Sequence, residues 1–354
     1  MRNYYWKSLI LIFLIMTVIV ACSKEEQVAE PNPNNEVEDP EPIEEPEEPE
    51  PEEPAFKNMY PFSGEPTNDE VNDRAVAVMV NNHPQARPQT GLNKADIVFE
   101  ILAEGNITRL MAIFQSEKPD VVGPVRSARP YYFNIADDYG AIYVHHGAAG
   151  FILDMLKAGA ADHLEGMFYD NDRHLFKRED FRVAPHNSYL IFDAVYEVAQ
   201  GKGYEVEEDH KAIPFLNEEE IMAISGEVAN EISFNYEATP VRYTYDTESE
   251  KYFRFNGEEQ TTDLETGEPI QLDNVFFVET YHEVVDSAGR REIDFSSGGN
   301  AYLFQKGKVQ SLEWQNIDGQ IIPVQNGEPV GFVPGKTWIN VIPTSTGLEG
   351  ASIQ

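Results

Sequence analysis

The stretch Asp96-Ile97-Val98-Phe99-Glu100-Ile101-Leu102 is a nearly continuous run of apolar, strand-favouring residues that contains one internal carboxylate. A short apolar run of this kind predicts a buried strand. Because successive side chains of a strand point to opposite faces, Glu100 shares its face with Val98 and Leu102. A carboxylate buried there forms an ion pair with an arginine or acts as a general base. The sequence leaves both interpretations of Glu100 open.

Apolar and amphipathic runs alternate on both sides of this strand, from Arg74 to about Tyr204. These runs predict strands at residues 75–80, 96–102, 110–114 and 141–145, and helices at residues 130–139, 150–157 and 192–200. A mixture of strands and helices is typical of an α+β or an α/β domain. We therefore predict an α+β (or α/β) N-terminal domain over residues 56–215.

Beyond residue 231 the chain consists of short β-branched and aromatic runs separated by turn signals such as Asn256-Gly257. The runs predict strands at residues 241–245, 252–255, 275–281, 301–305 and 338–342. We therefore predict a β-rich C-terminal domain over residues 216–354. The aromatic pairs Tyr243/Tyr245 and Phe253/Phe255 are expected in its core, because such rows fill a β domain more often than they bind sugar rings.

The N-terminus has the pattern of an export signal. Arg2 and Lys7 precede an uncharged apolar run over residues 8–21, which is shorter than the roughly 20 residues of a membrane-spanning helix. The run ends in Ile19-Val20-Ala21-Cys22, which resembles the lipobox of bacterial lipoproteins, whose cysteine carries fatty acyl chains such as palmitate. We predict a signal peptide over residues 1–21, a lipid anchor on Cys22 and a location on the extracytoplasmic face of the bacterial cell membrane.

An acidic, proline-rich segment follows the predicted anchor. Residues 25–54 contain 14 Asp and Glu, 8 Pro and no Lys or Arg. This composition buries too little apolar surface to offset the entropy of an ordered chain, so we predict a disordered linker over residues 22–55. Proline and charge repulsion extend such a linker to about 90 Å, at about 3.1 Å per residue.

The charge and the cysteine content exclude several classes of function. The 354 residues carry a formal net charge of −36, which repels nucleic acid and anionic lipid headgroups as bulk partners. Cys22 is the only cysteine, which excludes an internal disulfide, a cysteine-rich zinc site and a thiol nucleophile in the body of the protein. The sequence has no closely spaced histidine pair typical of zinc sites, no phosphate loop and no dinucleotide fingerprint, so we expect no metal and no cofactor.

Arginine is concentrated in the predicted N-terminal domain, which holds eight of the thirteen arginines. Residues 123–130 combine Ser127, a candidate N-cap, with Arg126, Arg129 and a proline suited to a first helical turn. Guanidinium groups and the free N–H groups of a helix N-terminus bind phosphate or carboxylate. The alternative is that both arginines pair with a local carboxylate such as Asp137.

Further polar residues are expected at the same site. A proline-punctuated loop over residues 81–91 follows a predicted strand, where ligand-binding groups are common, although turn formation alone also explains its composition. Pro185-His186-Asn187 supplies a histidine that can hydrogen-bond to a ligand. The predicted binding residues are Arg87, Gln89, Arg109, Arg126, Ser127, Arg129, His186 and Asn187.

Taken together, these segments resemble the YerB-like bacterial lipoprotein family. The matching pieces are residues 81–91, 95–100, 108–109, 123–130, 185–187, 252–257, 274–275, 289–290 and 334–338. The resemblance covers nearly everything from residue 74 to residue 343. It implies a lipid-anchored surface protein with two domains of unknown function, and it implies no catalytic residues.

We expect an envelope protein that is not an enzyme and that binds an anionic ligand, such as a cell-wall fragment or polymer, through its arginines. The first alternative is a hydrolase or transferase in which Glu100 or a histidine is the general base, which requires His145, His186 and a carboxylate to meet in a cleft. The second alternative is a scaffold that docks another envelope protein through a large exposed apolar patch on the β-rich domain.

Overall fold

The computed structural model describes residues 55–237 and 239–354. The predictions for the signal peptide, for Cys22 and for all of the linker except Ala55 lie outside these residues. The chain from Pro54 to Gln354 forms one compact unit. No helix in the described part of the chain is long and apolar enough to cross a membrane.

The first part of the described chain contains three α-helices close to the predicted positions and four strands close to the predicted ones, at residues 76–81, 97–102, 108–114 and 142–145; its other strands were not predicted. The strands are β1 Asn58–Met59, β2 Pro66–Thr67, β3 Val76–Asn81, β4 Ile97–Leu102, β5 Thr108–Phe114, β6 Val121–Val122, β7 Ile142–His145, β8 His163–Glu165, β9 Phe176–Arg178 and β10 Ser188–Ile191. The helices are α1 Pro130–Asp138, α2 Gly150–Lys157 and α3 Val195–Gly201. The start of the predicted helix over residues 192–200 is instead a 3-10 turn, Phe192–Ala194.

The second part is almost entirely strands, after the short helix α4 Glu218–Met222. The strands are β11 Glu227–Val228, β12 Glu231–Tyr236, β13 Thr239–Asp246, β14 Lys251–Asn256, β15 Glu259–Gln260, β16 Gln271–Leu272, β17 Asn274–Thr280, β18 His282–Val284, β19 Arg291–Ile293, β20 Gly299–Gln305, β21 Lys308–Ile317, β22 Gln320–Gln325, β23 Glu328–Pro329, β24 Thr337–Pro343 and β25 Ser352–Ile353. The predicted richness in strands is confirmed. The α+β or α/β class of the N-terminal region and its boundary at residue 215 stay predictions, because its strands belong to a sheet that both regions share.

This main sheet has twelve strands in the order β23-β22-β21-β20-β17-β24-β4-β5-β3-β7-β8, with β11 also paired to β21. Residues 337–341 of β24 pair in parallel with residues 97–101 of β4 and so join the two regions. β3, β7 and β8 are parallel to one another, and β5 is antiparallel to its neighbours β3 and β4. The carboxyl ends of β4, β3, β7 and β8 therefore lie at one edge of the sheet.

Each face of the main sheet is covered by different elements. Val76, Val78 and Val80 of β3 belong to a core shared with α3 and with a second sheet, β15-β14-β13-β12-β25. Ala77 and Met79, which alternate with them, belong to a core shared with α1 and α2. The central strands β24, β4, β5, β3 and β7 are therefore buried on both faces, which explains why they are nearly continuous apolar runs.

The expectation that Phe253 and Phe255 lie in the core of the C-terminal region is wrong. β14 buries Tyr252 and Arg254, and it leaves Phe253 and Phe255 half-buried on its other face. Because side chains alternate along a strand, the register that buries Tyr252 turns the two phenylalanines away from the core. The buried position between these two phenylalanines is occupied by Arg254, which no sequence pattern marked as a core residue.

Arg254 is the partner of Glu100, and both side chains are completely buried. The guanidinium donates from Nη2 to both carboxylate oxygens, at 2.8 and 2.9 Å, and from Nε to Oε2 at 3.1 Å. The carboxylate also accepts from Trp338 Nε1 at 3.0 Å, from Thr108 Oγ1 at 2.9 Å and from Asn82 Nδ2 at 3.2 Å. The ion-pair interpretation of Glu100 therefore describes the fold, and the pair connects the main sheet with the second sheet.

Replacing Arg254 by methionine is expected to destabilise the protein by about 3 to 5 kcal/mol, because the Glu100 carboxylate then stays buried without its cation. Urea unfolding followed by circular dichroism measures the change. The matched control is Lys306→Met, which removes one partner of the exposed pair with Glu250 and is expected to cost about 0 to 1 kcal/mol. A loss below about 1 kcal/mol for Arg254→Met would contradict the structural importance of the buried pair.

Candidate functional site

A polar side chain lies at the end of each of four strands at the shared edge of the main sheet. These residues are His83 after β3, Glu104 after β4, His146 after β7 and Glu165 at the end of β8. The segment 123–129 crosses the same edge, because Arg126 N–H donates to the Met79 carbonyl and His146 N–H donates to the Arg126 carbonyl. Open sheets with parallel strands commonly bind ligands outside the carboxyl ends of those strands.

Glu104 holds two of the predicted arginines in place. Its carboxylate is 2.7 Å from Arg109 Nη2 and also forms an ion pair with Arg129. Arg109 Nη1 donates to the Ser127 carbonyl at 2.8 Å. α1 begins at Pro130 with Arg129 at the N-cap position, so the expectation of Ser127 as N-cap is wrong. One carboxylate thus serves two buried guanidinium groups, which leaves a positive charge at this position.

Arg126 differs from these arginines because its guanidinium has no ion-pair or hydrogen-bond partner among residues 55–237 and 239–354. The side chain is half-buried, and the carboxylates at the far end of α1 do not reach it. Burial and the nearby charge of Arg109 lower the pKa of Arg126. The Arg126 charge in turn contributes to lowering the pKa of His146 and of His186. The Arg126 charge is therefore close enough to act on both histidines.

His146 is held in one tautomer by its two ring partners. Its Nε2 lies 3.3 Å from Arg178 Nη2, which can only donate, so Nε2 accepts and Nδ1 carries the proton. Nδ1–H then donates to Ser188 Oγ at 2.7 Å. Burial, followed by the Arg178 charge, lowers the pKa of His146 and keeps the ring neutral at pH 7. Arg178 itself binds Asp170 and donates to Asn187 Oδ1 at 2.7 Å.

His186 connects the two predicted polar loops. Its Nδ1 is 2.8 Å from Asn81 Nδ2, and its ring stacks on the ring of His83 with centroids 4.7 Å apart. Burial, the neighbouring histidine and the arginines Arg126 and Arg182 lower the pKa of His186. The loop 81–91 therefore does meet the segment 185–187, but through Asn81 and His83 rather than through its predicted binding residues.

Arg87 and Gln89, two of the predicted binding residues, form hydrogen bonds within the protein. Arg87 donates from Nη2 to the Asn82 carbonyl at 2.7 Å, and Gln89 Nε2 donates to the Asn81 carbonyl at 3.0 Å. Burial and the charge of Arg254 lower the pKa of Arg87 to about 10. The structure thus places these two residues beside the buried ion pair, where they organise the loop.

His145 does not meet His186 in a catalytic cleft. Its Nδ1–H donates to the Gly147 carbonyl at 3.2 Å and lies 3.6 Å from Glu165 Oε2, while its Nε2 has no partner among the described residues. Burial outweighs the attraction of Glu165 and lowers the pKa of His145 to about 4. In the described part of the chain, no three His, Cys, Asp or Glu side chains are grouped so that they could hold a metal ion.

Five residues combine exposed or half-buried polar groups with convergent positions, and we call them the arginine–histidine surface: Arg126, His146, Arg178, His186 and Asn187. Three of them, Arg126, His186 and Asn187, are among the predicted binding residues, whereas His146 and Arg178 are not. The position of His146 directly after a predicted strand was the available signal. Arg178 gave no local signal, because its partners come from separate loops.

Comparisons with known proteins support the resemblance noted from the sequence. Residues 62–205 match the N-terminal domain, and residues 231–339 the C-terminal domain, of "Protein of unknown function (DUF3048)". The Bacillus subtilis protein named "Putative lipoprotein YerB" is 45% identical over 295 residues, which span 83% of this chain and 88% of that protein. A crystal structure of the YerB protein from Bacillus subtilis is similar with a TM-score of 0.77 and 43% identity, covering 84% of this chain and 100% of that chain.

Acidification is expected to destabilise the protein in part through His145. Its folded-state pKa of about 4 is below the ordinary value of 6.5, so the unfolded chain binds the extra proton between these two values. Stability contributed by the neutral ring is present above pH 6.5 and is lost as the pH falls to 4, by about 3 kcal/mol in total.

Urea unfolding of the parent and of His145→Gln at pH 7, 5.5 and 4.5 measures this contribution. The variant is expected to lose less stability than the parent between pH 7 and 4.5, because glutamine does not titrate. Identical losses for both proteins would show that His145 does not stay neutral in the folded state.

Proposed function

This chain belongs to the DUF3048 family, and on that premise we propose that it is a lipid-anchored envelope protein that binds an anionic ligand at the arginine–histidine surface. The observation that carries the proposal is Arg126, whose half-buried guanidinium has no partner within the described residues. A guanidinium that is partly removed from water without an anion is costly, and a bound phosphate or carboxylate removes that cost.

The surroundings of Arg126 favour an anion over a cation or a neutral ligand. Arg109 and Arg129 share one carboxylate, that of Glu104, and so leave one unbalanced positive charge near Arg126, whereas Arg178 is balanced by Asp170. The net charge of the chain is strongly negative, so this local excess of positive charge opposes the field of the whole protein. Such a site selects an anion by direct contacts at short range rather than by long-range attraction.

The predicted anchor and linker supply the location. The relative is named a lipoprotein, and the sequence here carries the lipobox-like ending at Cys22. An extended acidic linker holds the folded unit away from an anionic membrane surface and within reach of the cell wall. Anionic cell-wall fragments or polymers, with their phosphate or carboxylate groups, fit this location and this site.

Inorganic phosphate and a purified anionic wall polymer are expected to raise the melting temperature of fragment 56–354 by at least about 2 °C at saturation. The fragment is suitable because it lies within the compact unit 54–354 and because the crystallised relative covers a comparable 84% of the chain. Arg126→Ala is expected to abolish the shift, since it removes the partnerless guanidinium.

Arg242→Ala is the matched control, because it removes the same charge from β13, where the guanidinium lies over the ring of Phe255. It is expected to keep the full shift. Binding that survives in Arg126→Ala, or the absence of binding by every anion tested, would refute the proposed site. Arg129 is left unchanged in this experiment, because its pairing with Glu104 is part of the fold.

Cys22→Ser is expected to abolish incorporation of labelled palmitate into the full chain and to release the protein from the membrane fraction, because the hydroxyl is not acylated by the lipoprotein pathway. Ser23→Ala is the control and is expected to keep both label and membrane association. Labelling of Cys22→Ser at the level of the parent would rule out Cys22 as the anchor.

A further inference from the structure

A cavity of about 520 Å³ lies beside the arginine–histidine surface. It is lined by Leu153, Lys157, His163, Glu165, Met167, Phe168, Tyr169 and Lys202. Phe168 and Met167 are 80% and 62% exposed although they form one wall of it. Cavities of a few hundred cubic ångströms with mainly apolar walls and a few polar groups are typical small-molecule sites. Nothing in the proposed anion binding uses this cavity.

Gly147 connects the cavity with the arginine–histidine surface. A Cβ atom added to Gly147 would lie 3.4 Å from Met167 Sδ and 3.4 Å from Ser127 Oγ. Met167 lines the cavity, and Ser127 directly follows Arg126 in the chain. Gly147 has a φ of 82°, which favours glycine, so the side chains of Met167 and Ser127 both approach its backbone, where a larger residue would meet them.

Charged groups line the cavity beside its apolar walls. Lys157 and Lys202 line it with exposed side chains; no ion pair joins either of them to a carboxylate within the described residues, and Lys202 Nζ donates to the His163 carbonyl. Glu165 Oε1 accepts hydrogen bonds from the N–H groups of Gly147 and Met167, at 2.8 and 3.0 Å, whereas its buried Oε2 has no hydrogen-bond partner among the described residues. The cavity therefore has apolar walls flanked by two exposed lysines, and its Met167 comes close to Ser127, the residue next to Arg126.

We propose that the ligand is an amphiphilic anion, whose phosphate or carboxylate head binds at Arg126 and whose alkyl or aromatic part occupies the cavity beneath Phe168. This inference rests on the proposed anion binding and adds the chemical class of the ligand. An apolar group in the cavity also covers Phe168 and Met167, which are otherwise exposed to water. Each methylene group that is buried strengthens binding about fourfold.

The test is calorimetric titration of fragment 56–354 with decyl phosphate, decanoate, decanol and inorganic phosphate, each amphiphile below its critical micelle concentration. We expect decyl phosphate or decanoate to bind at least about tenfold more tightly than inorganic phosphate and decanol. Phe168→Ser is expected to weaken amphiphile binding about tenfold and to leave phosphate binding unchanged. Arg126→Ala is expected to weaken the binding of both.

Met222→Ser is the matched control, because Met222 is 79% exposed on α4 and lines neither place. If decyl phosphate and phosphate bind with equal affinity and Arg126→Ala abolishes both, the proposal of an amphiphilic ligand is refuted, whereas the proposal of anion binding at Arg126 is supported. If decanol binds as tightly as decyl phosphate and Arg126→Ala weakens neither, the cavity and Arg126 do not bind one ligand together, and the amphiphile proposal is refuted. No binding by any of the four probes would overturn both proposals. Circular dichroism confirms that each variant is folded.

Discussion

The desolvated pair of Glu100 and Arg254 is the constraint on which the fold depends. Each charge costs several kcal/mol to remove from water, and only their close geometry and the surrounding donors offset that cost. Glu100 lies on β4 in the main sheet, Arg254 on β14 in the second sheet, and the donor Trp338 on β24. A slip of one residue in β14 would turn Arg254 to the opposite face, so the pair fixes the register of both sheets.

The arginines of the N-terminal region divide into two groups with different physical roles. Arg109 and Arg129 are tied to Glu104 and fix the start of α1 against the end of β4. This rigid arrangement also holds the backbone that carries Arg126, whose guanidinium remains available. A binding group that is positioned before the ligand arrives loses less entropy on binding. The paired arginines thus support the proposed site without contacting its ligand.

The sequence predicted those structural features whose physical cause lies in residues close together in the chain. Alternation along one strand placed Glu100 on the core face, and the apolar runs located nine of the 25 strands of the described residues, together with α1, α2 and α3. The partner Arg254 could not be predicted, because it is 154 residues away and nothing in β14 marks an arginine as buried. Residue chemistry favours Arg126 and His186 as binding residues, and this stays a prediction. The interior hydrogen bonds of Arg87 could not be predicted, because they depend on how one loop folds onto Asn82.

The parallel pairing of β24 with β4 has a consequence for the order of folding. Thr337 of β24 pairs with Ile97 of β4, so one edge of this central strand can pair only after a segment 240 residues further along the chain has been synthesised. Contacts of such large sequence separation form slowly, because a long loop must close first. While the chain is being synthesised, the apolar edge of β4 has no partner until almost the last strand has emerged. A newly made chain therefore exposes an aggregation-prone strand edge, and protection of that edge by a chaperone would favour correct folding.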